Sequence, residues 1–368
     1  MDLSLSPAQE LLRRTARDFL TEVSPPRLVK AMMEDERGVD PLLWNGIVRL
    51  GWPGLLIPER YGGSGGSLLD AVILFEEVGR ALPPAPLFVS GVLSALVLLH
   101  AGSEAQRTAL LPAIANGQAI VTLAYTEPSA TWEEEGITTI ARRVEGGYHL
   151  HGIKLFVPDA HLATHLLVAA RLDGTVRLWL VDPASAGLRR TPLVTIAGDK
   201  QFELVLDDVW VEEAALLPGD AAARDAAFQR ATIVKAAEMC GGSQKALEMA
   251  VEYAKQRIAF GRPIGAFQAI QHKAAEMVTQ VDALRVLIAE TAWKLDTGQP
   301  AALDVSLVKD YANDVFRFVT VEAHQIFAGI AYTMDHDLHL YFRRVKSAEA
   351  MLGDSRYHRR RMAAELQL

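Results

Sequence analysis

Twice along its length this chain changes the period at which apolar residues recur, and that order of periods limits the folds open to it more than any single residue does. From Ser6 to about Asn116 the period is helical: Leu11, Leu12, Ala16 and Leu20 repeat at helical spacing, as do Leu43, Ile47 and Leu50. A glycine-rich turn at 61–66 interrupts the pattern, 68–78 resumes it, and Pro83, Pro84 and Pro86 end it. No strand precedes those glycines, so they read as a sharp interhelical loop rather than a nucleotide cradle. From Ala119 to about Val211 the rhythm is that of strands at 120–125, 138–144, 154–157, 165–171, 176–181 and 202–211. These are rich in Val, Leu, Thr and aromatics and are parted by turn residues such as Gly146-Gly147, a hairpin signal, and Asp173-Gly174. Short strands with no helical pattern between them suggest a small antiparallel barrel or sandwich. Beyond Gly219 the helices are long. Residues 228–256 place Ile233, Ala237, Cys240, Leu247, Val251 and Ala254 on one stripe, and 266–297 repeats the device with Ile270, Met277, Val281, Leu284 and Trp293. Further helices over 302–327 and 338–352 complete an up-down set. The expected fold is α+β and mostly α: an N-terminal helical domain (1–118), a central small antiparallel β-barrel domain (119–218) and a C-terminal four-helix bundle domain (219–368).

Composition narrows the function classes. With 368 residues, 50% of them apolar and 22% charged, the chain reads as an ordinary globular protein able to bury more than one core. A net charge of -8 gives no support to a nucleic-acid surface. The basic cluster Arg356, Arg359, Arg360 and Arg361 is a local exception, read as a solvated face, although an acidic partner or a ligand's phosphates would also suit it. Cys240 is the only cysteine, so no disulfide framework exists; its apolar helical setting beside Gly241 and Gly242 marks a small buried hydrophobe. The first residues carry two acids and no long apolar core, unlike a signal or transit peptide. No apolar run reaches the length of a membrane span; the best, 92–99, reads as a short buried helix segment. A cytoplasmic location is the expectation.

Six segments in fixed order give the chain a recognisable pattern: PERYGGSGGSLLDAVILFEEVGRALPPAPL at 58–87, LAYTEPSA at 123–130, YHLHGIKLFV at 148–157, FELVLDDVWV at 202–211, RIAFGRPIGAFQAIQHKAAEM at 257–277 and HQIFAGIAYTMDHDLHLYFRRVK at 324–346. Together they resemble the acyl-CoA dehydrogenase family over nearly the whole length. The resemblance implies FAD as cofactor and carries its contacts onto named positions. Tyr125 and Thr126 fall where the family binds the isoalloxazine edge, and Phe156 where an aromatic packs on the ring. Arg257, Phe260 and Gln268 fall where it reaches the ADP half across a subunit boundary, and Gln325 with Gly329 where a loop closes on the dinucleotide. An arginine fork suits phosphate oxygens, and glycine lets backbone amides approach a diphosphate. Three departures stand out. The turn after β-domain residue Ala130 runs Thr131-Trp132-Glu133-Glu134-Glu135 in place of glycine and serine; Pro158 replaces a hydroxyl residue; and Ala328 and Ala331 stand where glycines are common.

The family's chemistry removes a proton alpha to a thioester while the beta hydrogen leaves as hydride, and the base must lie within hydrogen-bond reach of that alpha carbon. The two positions where the family carries its glutamate base fall on Ala231 and Leu352. Glu238, seven residues after Ala231 on the same helix face and about 10 Å further along by the helical rise, is the candidate substitute; a structural ion pair is its plainer reading. Asp354 and Asp335 read as turn or cap residues. Asp335, His336, Asp337 and His339 do not correspond to any metal site of the family, so no metal is expected. Three functions stay open: an FAD-dependent dehydrogenase of acyl-CoA thioesters with an unusual base, a non-catalytic partner in a mixed tetramer of the kind used in steroid and other bulky-acyl catabolism, or a flavin-free scaffold. A homo- or hetero-tetramer and an electron-transfer flavoprotein as acceptor are further implications of the resemblance.

Overall fold

The computed structural model describes residues 4–368. Helices α1 (Pro7–Val23), α2 (Pro26–Glu34), α3 (Pro41–Arg49), α4 (Leu68–Ala81), α5 (Ala95–Ala101) and α6 (Glu104–Ala115) come first. Seven strands follow: β1 (Val121–Ala124), β2 (Ile140–Val144), β3 (Gly147–Pro158), β4 (His165–Leu172), β5 (Thr175–Val181), β6 (Leu188–Leu193) and β7 (Gln201–Glu212). Then come α7 (Ala221–Gln256), the short pair β8 (Ile258–Ala259) and β9 (Arg262–Pro263), α8 (Gln268–Asp296), α9 (Ala302–Phe327), α10 (Leu338–Ala350) and α11 (Ser355–Glu365). This is the mostly helical α+β order that the periodicity predicts. Among the described residues no helix is long and apolar enough to cross a membrane.

Two compact units divide the chain, and neither is continuous in sequence. One takes residues 30–67 and 84–231; the other takes the N-terminal segment to Val29, 68–83 and 232–368. The first holds the sheet, ordered β1-β4-β2-β3-β7-β6 with β5 also on β4. Its inner face buries Trp179 against Tyr148, ring centroids 5.8 Å apart, with Leu150, Val168, Val181, Leu204, Leu206 and Val209 around them. Two hairpins form where the sequence predicts them, the first with its loop one residue earlier than Gly146-Gly147 because Gly147 already pairs in β3. Val144 pairs with Gly147 and Leu172 with Thr175, so Glu145-Gly146 and Asp173-Gly174 are two-residue hairpin loops. Asp173 and Gly174 both take positive φ, as a primed turn requires.

The strand pairing departs from the expectation in two ways. β1 runs parallel to β4, and β2 touches β4 in parallel at one pair, so the sheet is mixed rather than wholly antiparallel. The β2–β3 hairpin lies between β1 and β4 in sequence and supplies the long connection that a parallel pair needs. Strand β6 is not predicted by the sequence pattern. It is an edge strand with Arg189, Arg190, Thr191 and Pro192 exposed, so it carries no apolar alternation, and proline is tolerated there because an edge leaves amides unpaired.

In the helical unit, α4 and α7 approach each other through glycine. A Cβ at Gly79 would collide with the Glu238 carbonyl, and one at Gly241 with the Glu76 carbonyl, so each helix offers a glycine to the other's backbone. Along α9, Val305, Val308, Ala312, Val315, Phe316, Val319 and Ala323 are buried at helical spacing. A fifth helix, α11, extends the expected four; it is short and strongly polar, so it carries no apolar stripe to announce it.

Candidate functional site

The chain leaves β1 through Tyr125, Thr126 and Glu127. Glu127 and Lys154 of β3 are both almost wholly shielded from solvent, at 1% and 0% exposure, and their charges meet at 2.6 Å. The carboxylate also accepts from Thr138 N at 2.7 Å, Thr138 Oγ1 at 2.5 Å and Thr139 N at 3.0 Å. Burial alone would raise the Glu127 carboxyl, but the Lys154 charge and these bonds outweigh it and hold it below the ordinary value. For Lys154 burial wins: the ammonium falls to about 8 despite the carboxylate. Neither residue stands out in the motifs of the sequence, although a lysine inside the apolar strand pattern of 148–157 is itself a signal that a buried partner must exist.

Two bulges shape the sheet beside this pair. Between Lys154 and Val157, β3 gains one residue on β7, and there Phe156 takes φ 55° with its ring 48% exposed. Between Leu150 and Gly152 the extra residue is on β7, so Asp207 and Asp208 both face His151. Their ligand atoms lie within 4.8 Å of one another, all exposed, the one such grouping among the described residues. It is remote in sequence from residues 335–339. There His336 Nδ1 accepts from Leu338 N at 3.2 Å, a turn role, and Asp335 lies in the same turn.

After β1 the departing segment is folded back. Trp132 stacks on buried Tyr125, centroids 4.9 Å apart and planes 15° from parallel, and Phe228 of α7 meets both rings edge-on at 5.4 and 5.7 Å. Glu134 pairs with buried Arg224, and Arg171 donates to the Glu134 and Ile137 carbonyls. The acidic run is therefore partly neutralised by Arg224, which the sequence does not reveal. Pro158 offers only its carbonyl, which accepts from Thr122 Oγ1 at 2.6 Å.

The helical unit presents the other candidate contacts. Arg257, Phe260, Gln268, Gln325 and Gly329 are all exposed, Phe260 at 94%. Arg257 and Phe260 flank the β8–β9 hairpin, and nothing lies within 4 Å of a Cβ added at Gly329.

At the two positions that the resemblance assigns to the base, Ala231 has no exposed surface and Leu352 is 3% exposed. Leu352 takes φ 62° and is followed by Gly353 at φ 104°, and the turn is clamped. His358 Nε2 donates to the Leu352 carbonyl at 3.0 Å; Lys309 Nζ donates to Gly353 O at 3.1 Å, Ala348 O at 3.2 Å, Glu349 O at 3.1 Å and Asn313 Oδ1 at 2.7 Å. Burial, reinforced by the Lys235 charge, lowers Lys309 to about 7. Burial, reinforced by the charge of Lys309, lowers His358 to about 3. Asp354 caps α11 by accepting from Tyr357 N at 2.8 Å, the cap role expected of it. Glu238 is tied to Lys235 Nζ at 2.5 Å, one turn away on α7. Cys240 is buried and its thiol is pushed up by burial, the state of a packing residue. In the basic cluster, Arg359 pairs with Asp310 and Asp314 on α9.

A flavin dinucleotide suits the candidate residues of the helical unit and not the turn after β1. The exposed arginine, glutamines and open glycine of the helical unit suit a diphosphate and its ribose hydroxyls. The turn after β1 does not, because an indole already lies on Tyr125 and the glycine and serine of the family turn are replaced by Thr131-Trp132-Glu133-Glu134-Glu135.

Comparison with known proteins agrees over the full length. Models of the acyl-CoA dehydrogenase N-terminal, middle and C-terminal domains match residues 6–118, 122–209 and 220–367. The chain is similar to acyl-CoA dehydrogenase IpdE2 of Mycolicibacterium smegmatis, 31% identical over 98% of this chain and 100% of that one. Among solved structures, the ChsE4-ChsE5 complex from Mycobacterium tuberculosis superposes with a TM-score of 0.92 at 27% identity, covering 100% of this chain and 99% of that one. Butyryl-CoA dehydrogenase from Megasphaera elsdenii does so with 0.91 at 28%, covering 100% of both.

Proposed function

The chain belongs to the acyl-CoA dehydrogenase family, and from that premise we propose that it serves the α,β-desaturation of an acyl-CoA thioester as the partner of a sister chain that carries the base. An asymmetry carries this reading. Arg257, Phe260 and Gln268, which the resemblance places across a subunit boundary, are exposed and intact, as are Gln325 and Gly329 of the loop that closes on the dinucleotide. Of the contacts that would serve this chain's own isoalloxazine, Tyr125 lies under Trp132, and Pro158 offers no hydroxyl. Ala231 and Leu352 have no proton-accepting group at all. The ChsE4-ChsE5 complex, a two-component relative, supports the same reading.

FAD, when bound, accepts the hydride that leaves the beta carbon. The arginine fork of Arg257 would hold phosphate oxygens, Gln268 and Gln325 would hydrogen-bond the dinucleotide, and Gly329 would let backbone amides approach it. Thr126 and Phe156 would meet the ring system, and the Tyr125 ring would do so only if the indole of Trp132 moved off it. We take 1–118, 119–218 and 219–368 as the domain division, an electron-transfer flavoprotein as acceptor, and the cytoplasm as the setting that suits a single buried thiol.

A self-sufficient enzyme would need Glu238 as base, and its carboxylate is held by Lys235 rather than open to a substrate carbon. The experiment is a visible spectrum under anaerobic conditions with short, branched and steroid-derived acyl-CoAs, on the chain alone and co-expressed with a glutamate-bearing relative. Bleaching only in the co-expressed complex is expected. Bleaching by the chain alone would overturn the partner role, and Glu238→Gln would then test that carboxylate.

A further inference from the structure

Arg224, Phe228 and Ala231 recur at i, i+4 and i+7 on α7, so they share one helix face. On the proposed reading the alpha carbon of a thioester would lie by the Ala231 position, on the helix face that carries Phe228, against which the Tyr125 ring packs. Those two rings are not separated by a slot. The indole of Trp132 stacks on Tyr125 and meets Phe228 edge-on, while Tyr125 and Phe228 also touch, so the three form a closed cluster.

The indole is also not carried on a free loop. Its segment is fastened on both sides: Ser129 Oγ donates to Gly136 O at 3.2 Å, and Glu133 N donates to Thr131 Oγ1 at 3.1 Å. Arg171 binds the carbonyls of Glu134 and Ile137, and buried Arg224 holds the Glu134 carboxylate. Gly136 leaves no space for a Cβ against Thr131 and Ser129, so the turn is packed to its limit. Arg224 thus joins the segment to the same helix face that bears Phe228 and Ala231. An aromatic ring held by stacking, by two edge contacts and by an anchored backbone excludes anything that needs its volume.

We propose that Trp132 is the specificity-determining residue that keeps acyl-CoA thioesters out of this chain's own site, so that the substrate goes to the sister chain. The inference rests on the partner reading above. It adds a physical agent: an indole packed against the helix face that bears Phe228 and Ala231, positioned by the Glu134 and Arg224 pair.

The test uses the co-purified complex and a non-reactive thioether analogue of octanoyl-CoA in calorimetric titration, with free coenzyme A as a control. The wild-type complex is expected to bind one analogue per pair of chains. Trp132→Ser is expected to add a second site per pair, with affinity at this chain raised at least about tenfold, while Trp132→Phe, which keeps a stacked ring, retains much of the exclusion. Phe228→Ala opens the same cluster from the helix side and serves if the Trp132→Ser chain does not fold; circular dichroism reports folding in each case. A wild-type complex with a site on both chains would overturn the inference and leave the acyl-CoA reading standing. Opened variants that fold but gain no second site would overturn it in the same way. A complex that binds no analogue on either chain would overturn both.

Discussion

Lys154 and Glu127 have almost no water to solvate them, so each charge is tolerated only because the other stands 2.6 Å away. Breaking such a pair leaves an uncompensated buried charge. Lys154→Met is therefore expected to destabilise the fold by about 3–5 kcal/mol, read by denaturant unfolding, and Glu127→Gln in the same background should recover part of the loss. A single-variant loss below about 1 kcal/mol, the scale of an exposed pair, would show that the charges are not sealed in. His358 makes the acid side of the stability profile. Its folded pKa, about 3, lies below its ordinary 6.5. The unfolded chain therefore binds a proton that the folded chain refuses, so its contribution is intact above 6.5 and is lost as pH falls from 6.5 towards 3. The slope approaches about 1.4 kcal/mol per pH unit inside that window. His358→Gln keeps a donor for Leu352 O but does not titrate, so its melting temperature should fall less steeply over the same range; parallel curves would remove His358 from the account. Neither the buried pair nor His358 is legible in the sequence, because what matters about them is burial and partners from other strands and helices.

Helices announce themselves and edge strands do not. The stripes on α7, α8 and α9 follow from apolar residues repeating along one face, a local property that survives without knowing the partner. Strand β6 has no such stripe, since its exposed arginines, threonine and proline obtain their conformation from hydrogen bonds to β7 rather than from side-chain burial. The parallel β1–β4 pair is similarly invisible, as pairing is chosen by whichever strand the chain returns to. Between α4 and α7 the glycines set the distance. Gly241→Ala must push the helices apart at the Glu76 carbonyl, at a cost of about 1–3 kcal/mol or more, seen as a lower denaturant midpoint with unchanged slope. Gly329→Ala, with nothing within 4 Å of the new methyl, should stay within about 0.5 kcal/mol of wild type. Equal effects at the two positions would mean that backbone flexibility, not helix contact, governs both.

For the molecule as a whole, the proposed function rests most on exposure of the Arg257 segment. Arg257→Ala should lower flavin retained by the co-expressed complex while leaving the chain's own circular dichroism and unfolding unchanged, because its side chain is exposed; full flavin occupancy in that variant would sink the assignment. Family membership and the order of helices, sheet and helices were legible in the residues alone, since periodicity and motif spacing are written along the chain. So was the lack of a carboxylate at positions 231 and 352, because the identity of a residue needs no fold to read. The folded chain alone decided that Trp132 closes over Tyr125 and Phe228, that Arg224 neutralises part of the acidic run, and that Lys309 and His358 clamp the turn at Leu352. Each of those depends on residues far apart in sequence meeting at hydrogen-bond or van der Waals distance, and such meetings are set by how strands pair and helices pack, not by local pattern.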